Sequence, residues 1–406
     1  MFSKTKALLL AAAISAPLAH AQFNFDVDGK PVQIHSFASQ GFLASDQNNY
    51  LTTNTSQGSF SFTDFGANAS LRLGDNLRIG AQLYDRDIGD LGKWHLQLDW
   101  AIGDYKIKDW LGLRGGVVKT TFGLHNDTQD VDFLSPFALL PQSIYPTDLR
   151  DALIRHRGGD VYGTVSLGRL GSLAYTGFAG LRSDSLYGGY IYLLHGVGID
   201  MTTYGGLQYG GDLKWNTPLK GLLLGASRMN EDITGRGSFN LAALGGPPGS
   251  IPYEEHSLSD WANQLYGQYN VGELTMEAEY RRWFRYQDIF NNAFTVTTDT
   301  RTWYAATYYH ISKRFTFGGY YSHFVADSGL PQHFPGNHLY DKVLSLRADL
   351  KSYWDVKVEG HFMDGNGGTG LPGGGLLYPD GFYPGNNPQG LKPTTTLLVV
   401  RTGFNF

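Results

Sequence analysis

The segment "WDVKVEGHF" (354–362) sets Trp354, Val356, Val358 and Phe362 against Asp355, Lys357, Glu359 and His361 in strict alternation. Successive side chains on a strand point to opposite faces, so the spacing predicts a strand with one apolar face and one charged face. "LSLRADLK" (344–351) repeats the pattern, with Leu344, Leu346, Ala348 and Leu350 opposed to Ser345, Arg347, Asp349 and Lys351. "WHLQLDWAI" (94–102) does so again, placing Trp94, Leu96, Leu98, Trp100 and Ile102 on one side and His95, Gln97 and Asp99 on the other. No apolar run of about 18 residues follows residue 21, so no transmembrane helix is available. Apolar residues interleaved at every second position fit strands with lipid on one side and a polar interior on the other. An Arg or Lys facing lipid at mid-bilayer costs about 2–4 kcal/mol, which turns each charged row inward.

Composition agrees. Aromatics make up 14% of the chain and charged residues 17%, against about 25% charged in ordinary soluble domains. There are 53 glycines and no cysteine. A closed barrel satisfies its own backbone hydrogen bonds and needs no disulfide staples. "MFSKTKALLLAAAISAPLAHAQ" opens on Lys4 and Lys6, runs apolar to Ala19 and closes on Ala19-His20-Ala21. That is the form of a cleaved secretory signal peptide, residues 1–21, followed by one unit over 22–406. Net charge is −5, or −7 once Lys4 and Lys6 are removed, which disfavours nucleic acid as a partner.

Turn signals punctuate the chain. Short ones fall near 73–76, 103–109, 168–172, 216–221, 270–273, 312–314 and 351–354, rich in Gly, Asn, Asp and Pro. Long connections alternate with them at 43–59, 87–92, 123–153, 183–203, 230–259, 286–299, 327–338 and 365–393. Seven turns and eight loops predict sixteen strands, with both termini at the short-turn end. The expected fold is an all-β, transmembrane antiparallel β-barrel of about 16 strands. The 221–230 strand is ambiguous, because Arg228 falls on the face of Leu222 and Leu224. Trp94, Trp215, Trp261, Trp303, Tyr309, Phe315, Trp354, Phe404 and Phe406 are expected near strand ends, where aromatic rings suit the two interfaces of a membrane. The chain ends "VVRTGFNF", so Phe404 and Phe406 would close the last strand against the first, near Val32 to Phe42.

The connection at 123–153 is unlike the others. It carries Phe133, Phe137, Leu139, Leu140, Ile144 and Tyr145 beside Asp127, Asp130, Asp132, Asp148 and Arg150. A long loop with its own apolar side chains is packed or functional, and the lumen is where it can pack. An external lid or a latch between copies is the competing expectation.

Taken together, the signal peptide, the sixteen-strand rhythm, "VVKTTFGLHNDTQD" leading into a folded third loop, and the terminal Phe resemble Gram-negative outer-membrane porins. Residues 114–151 are similar to the phosphate-selective and dicarboxylate-type porin group. The resemblance implies a homotrimeric passive channel in the bacterial outer membrane, constricted by the third loop. It also implies contact with outer-membrane lipid and lipopolysaccharide, and insertion by the barrel assembly machinery through a terminal signal at Phe404 and Phe406. No coiled coil precedes Val32 and no arginine stack marks the third loop, so phosphate is not carried over as the solute.

Inward positions hold Arg72, Arg78, Arg114, Arg347 and Arg401, which would form one basic sector of wall facing the third loop's Asp127, Asp130, Asp132 and Asp148, with Arg150 nearby. Opposed charges across a narrow aqueous gap set up a transverse field. The expected function is therefore passage of small hydrophilic solutes with modest ion preference. The alternatives are an anion-selective channel for phosphate or dicarboxylates, and a channel for hydrophobic solutes. In a blander arrangement the arginines pair with Asp349, Asp355 and Glu359 and only stiffen the wall. Enzymatic chemistry finds little support. "GTGLPG" (368–373) has dinucleotide-loop spacing but no following helix. His323, His333 and His338, and the pair Glu359 and His361, match no strong metal spacing. An outer-membrane lipid hydrolase would need a Ser and His paired at the rim, which spacing alone does not supply. No enzyme activity, cofactor or metal is expected.

Overall fold

The computed structural model describes residues 23–27, 29–367 and 381–406. The signal-peptide segment and "GTGLPG" lie outside the described residues. A short strand, β1 (Phe23–Val27), folds back on β2 (Lys30–Ser45). From β2 onward the wall runs through β3 (Thr63–Arg72), β4 (Leu77–Asp87), β5 (Gln97–Lys108), β6 (Leu111–Lys119), β7 (Arg155–Ser166), β8 (Ser172–Ser183) and β9 (Ile199–Asn216). It continues through β10 (Leu222–Asn240), β11 (Ser250–Val271), β12 (Leu274–Ile289), β13 (Phe294–His310), β14 (Phe315–Val325), β15 (His338–Lys351), β16 (Trp354–Gly365) and β17 (Thr394–Asn405). Each strand pairs antiparallel with the next, and β17 pairs with β2, so β2–β17 close a sixteen-strand transmembrane barrel.

Burial is inverted relative to a soluble sheet. On β16, Asp355, Lys357, Glu359 and His361 are fully buried, while Val358 and Phe362 are 42% and 52% exposed. The lumen is the polar core and the outside is apolar, as alternation demands. At the seam, Phe406 N–H donates to the Ser36 carbonyl at 2.7 Å, and Ser36 N–H donates to the Phe406 carbonyl at 2.8 Å. The Phe404 ring stacks on Trp354 at 5.6 Å and on Phe406 at 6.3 Å. The terminal aromatic thus extends the closing strand.

Three expectations need correction. The loops placed at 230–259 and 286–299 are mostly strand, and the real connections are 241–249 and 290–293. Above the lipid both faces of a strand meet water or loop, so the apolar–polar contrast that reveals a strand disappears. Next, Trp100 and Ile102 do not share a face with Leu98. A register shift between Gln82 and Leu83 inserts Asp99, after which Trp100 pairs with Gln82 and Ile102 with Gly80, on the lumen side. A one-residue bulge reverses the face of everything beyond it. Lastly, Trp94 sits in the 88–96 connection with φ of 54°, not on a strand.

Candidate pore constriction

Strand β6 ends at Lys119, and residues 120–154 then cross the interior before β7 begins. From its base at β6 and β7 the loop reaches across to the wall formed by β10–β17 and is held along it. At one end, Gly123 N–H donates to Ser227 Oγ at 3.0 Å and Leu124 N–H to Glu279 at 3.1 Å. Glu279 also accepts from the Tyr145 hydroxyl at 2.5 Å and the Tyr304 hydroxyl at 2.8 Å. Arg281 donates to the Ile144 carbonyl at 2.7 Å. Further along the wall, the N–H groups of Ala138 and Leu139 both donate to the Glu359 carboxylate of β16, at 2.8 and 3.0 Å. Arg347 donates to the Phe133 and Ser135 carbonyls at 2.7 and 2.8 Å, and Arg401 to the Ala138 carbonyl at 2.8 Å. Charge-assisted bonds of this kind are roughly twice as strong as neutral ones. The loop's apolar residues supply the rest. Phe137, Ile144 and Tyr145 pack with Tyr304, Tyr320 and Val343, while Phe122 and Leu153 pack with Met229 and Trp283.

The charged candidates fall into separate groups. Asp132 lies 2.9 Å from Lys357 and 3.0 Å from Arg401, and Arg401 also binds Asp64. Burial raises the Asp132 carboxyl, but Arg401 and Lys357 outweigh it and hold the pKa below its ordinary value. Gly403 makes this approach possible, since a Cβ there would stand 2.7 Å from Asp132 Oδ2. Arg347 pairs with Asp349 at 2.8 Å and Asp355 at 3.1 Å. A second group joins Asp130 to Lys119 and Gln82, with Arg150 bound to Asp99 at 2.6 Å and stacked over Tyr84 at 4.0 Å.

Asp148 stands apart from both groups. It accepts from the Tyr383 hydroxyl at 2.7 Å and from Gly381 N–H at 3.1 Å, which ties the third loop to the last loop. Burial pushes its carboxyl above the ordinary value, against the opposing pull of those hydrogen bonds. Asp127 is exposed, with no ion pair among the described residues. Arg114 faces Asp104 at 3.4 Å and Asp160 at 3.8 Å. Arg72 and Arg78 are register partners at the short-turn end, both exposed and without an ion pair among the described residues.

Lys357, Glu279, Arg281, Asp99 and Lys119 were not among the sequence candidates, although each holds or faces the loop. The alternation of "MEAEYRR" (276–282), with Glu277, Glu279 and Arg281 on one face, was the available signal. Parity turned Asp99 inward but did not tie it to the loop, and Lys119 lies at a strand end, where parity gives no guidance.

Toward the long-loop end the interior turns apolar. Tyr50, Leu51, Ile88, Leu91, Leu139, Ala326 and Phe382, from five different connections, bury together. Across the mouth, the helix Gly189–Gly196 lays Ile191 and Leu194 against Met201, Ile233 and Tyr253 on β9–β11.

No protein-family model matches the chain, and no curated protein matches it in sequence. Solved structures do resemble it. OmpT, an outer membrane protein of Vibrio cholerae, superposes over 94% of this chain and 99% of its own, with TM-score 0.56 and 12% identity. The anion-selective porin from Comamonas acidovorans covers 93% of this chain and 100% of its own, with TM-score 0.54 and 11% identity. OmpF of Salmonella typhi covers 95% of this chain and 100% of its own, with TM-score 0.56 and 12% identity. At these identities the similarity is one of fold.

Proposed function

We propose that the chain is an outer-membrane porin, a non-enzymatic passive channel for small hydrophilic solutes that works as a homotrimer. The observation that carries this reading is a closed lipid-facing barrel whose charged interior is crossed by one loop that runs from β6 to anchors on β10, β12 and β15–β17. The similarity in fold to OmpF and to an anion-selective porin supports it. In this reading the signal peptide is removed on export, the long loops face the cell exterior, and the terminal Phe serves the barrel assembly machinery.

The charge arrangement favours weak selectivity. Asp132 and Asp130 do not face the wall's cations across a gap but touch them. Contacting opposite charges largely cancel at a distance, so the field along the pore is modest. Of the candidate arginines, Arg72 and Arg78 are the two without an ion pair among the described residues, and they bias the short-turn opening toward anions. Single-channel recording tests the reading. Excising residues 128–147 is expected to raise conductance several-fold while insertion survives; unchanged conductance would remove the loop from the solute path. Reversal potentials in a salt gradient should shift only slightly toward cations in Arg78→Ala/Arg114→Ala.

The apolar cluster at the mouth favours one second reading, a channel for hydrophobic solutes. Liposome swelling separates the two, since sugars and amino acids enter in the first case and apolar solutes in the second.

A further inference from the structure

Closing a barrel removes the open edges of its sheet, but only up to the height that neighbouring strands share. Above that height the taller strand of a pair regains an edge. β9 begins at Ile199, while β8 pairs with it only from Gly205 onward. β13 begins at Phe294, while β14 joins it only at Arg301. The β9 edge is guarded. A register shift between Arg236 and Gly237 bulges it at Thr202, and Asp200 puts an exposed charge beside it. Asp184 N–H also donates to the Tyr204 carbonyl at 3.0 Å.

The β13 edge carries none of these devices. Ser328 N–H donates to the Asp299 carbonyl at 2.9 Å, and the Thr300 hydroxyl to the Ala326 carbonyl at 2.8 Å, so the following connection covers the edge at Asp299 and Thr300. Asp299 thus turns its backbone groups away from β12. Thr297 and Thr295, two and four residues earlier on an unbroken register, turn theirs the same way. Among the described residues no connection or side chain bonds to those N–H and C=O groups. The run Phe294-Thr295-Val296-Thr297-Thr298 contains no proline, glycine or charge, the means by which an open edge is blunted. Phe294 is 61% exposed. Its ring stands 6.2 Å from Phe290, which packs edge-on against Phe239 and Tyr253 at 5.1 and 4.9 Å. The β12–β13 ladder climbs from the Leu274–Tyr309 pair to the Ile289–Phe294 pair. At about 3.4 Å per residue and a tilt of about 40° this lifts the edge about 40 Å above the short-turn end, well past an apolar band about 25 Å tall.

We propose that this edge takes up an extended segment of another protein as an added strand. Open N–H and C=O groups recurring about every 6.8 Å are matched by a peptide backbone and by no compact solute. The segment runs antiparallel to β13. It lays apolar side chains beside Phe294 and Val296 on the inner face, and small ones beside Thr295 and Thr297 on the outer face. A second copy of this chain does not fit. Copies in one membrane are related by an axis along its normal, and a two-fold of that kind would cross the two edges at twice the strand tilt, about 80°. The inference rests on the outer-membrane reading above, which puts the edge outside the cell.

The test is binding of a fluorescent decapeptide of alternating valine and threonine, closed by a lysine at each end, to the full-length protein in mild detergent, read as anisotropy. A control peptide carries proline at two central positions. The parent is expected to bind the first peptide and not the second. Thr295→Pro/Thr297→Pro removes two edge N–H groups at positions where a sheet tolerates proline, and should weaken binding at least about tenfold. Thr295→Pro alone should show a smaller loss in the same direction, which serves if the double variant inserts poorly. Thr297→Val keeps the backbone and should bind within about twofold of the parent. Absence of binding by the parent overturns the inference, as does equal binding by the double variant or of the proline peptide. A loss in Thr297→Val as large as in the proline variants would make the hydroxyl the contact and overturn it too. So would peptide binding that dissociates the parent into single copies, since the edge would then be a contact between copies. The peptide is also given to intact cells. Binding in detergent without binding to cells would defeat the outward orientation of the outer-membrane reading, while binding in both supports the site.

Discussion

The two sides of the barrel are built to different heights. Strands β3–β8 span 9 to 12 residues, and β9–β13 span 16 to 22. At about 3.4 Å per residue the longest strand reaches on the order of 70 Å and the shortest about 30 Å. The short wall is about as long as a bilayer requires. The tall wall keeps pairing well beyond it, where Arg236 of β10 bridges Glu254 of β11 at 2.8 Å on the outside. Inside, the tall wall supports the Gly189–Gly196 helix through Met201, Ile233 and Tyr253. Lipid dictates the sequence of the short wall throughout, but only of the lower part of the tall wall. The upper part is free to carry charge on its outer face.

The largest expected effect lies at the seam that joins β2 to β17. Deleting Phe406 removes two backbone hydrogen bonds to Ser36 and the ring stacked on Phe404, and should block assembly far more than deleting Asn387. Heat-modifiable electrophoresis of membrane fractions reads it, and equal insertion of both deletion variants would make the tail dispensable. Next comes a charge scan of the outer faces. Val161→Arg on the short wall should cost about 2–4 kcal/mol of stability in lipid vesicles, and Ile251→Arg near the top of the tall wall about 0–1 kcal/mol. Equal losses in urea unfolding would erase the difference between the walls. Inside, Glu359→Ala strips the acceptor from the Ala138 and Leu139 N–H groups, and should cost about 1–3 kcal/mol with noisier single-channel current. The smallest effect is expected for Arg236→Ala, which breaks an exposed pair worth less than about 1 kcal/mol. A larger loss there would mean that the tall wall's extension depends on its ion pairs rather than on its backbone ladder.

Much of the wall was legible. Seven short turns were placed near their true positions, because tight connections need Gly, Asn and Asp for their geometry. The turn at "GDYKIKD" shows the limit: β5 runs on to Lys108, since Tyr105 and Ile107 continue the alternation on the outer face. Arg228 was ambiguous because the pattern assumes that outward means apolar. The structure shows it outward and held by Asn230, Asn263 and Trp261. The loop's acidic residues were visible as a group, yet nothing local assigns Asp132 to Lys357, Asp130 to Lys119 or Asp148 to Tyr383.

The sequence by itself determined the alternating faces, the approximate strand count, and hence a closed barrel with a polar interior. Those properties follow from side-chain parity and from the energy of a charge in lipid, both of which act within a few residues. Only the tertiary structure decided the tall wall, the reversal of parity after Asp99, and which charges meet. Lys357 and Asp132, or Gly381 and Asp148, are more than two hundred residues apart and come together through barrel closure and the path of two loops. Local alternation carries no information about either, because it specifies which side a residue faces and not what it will meet there.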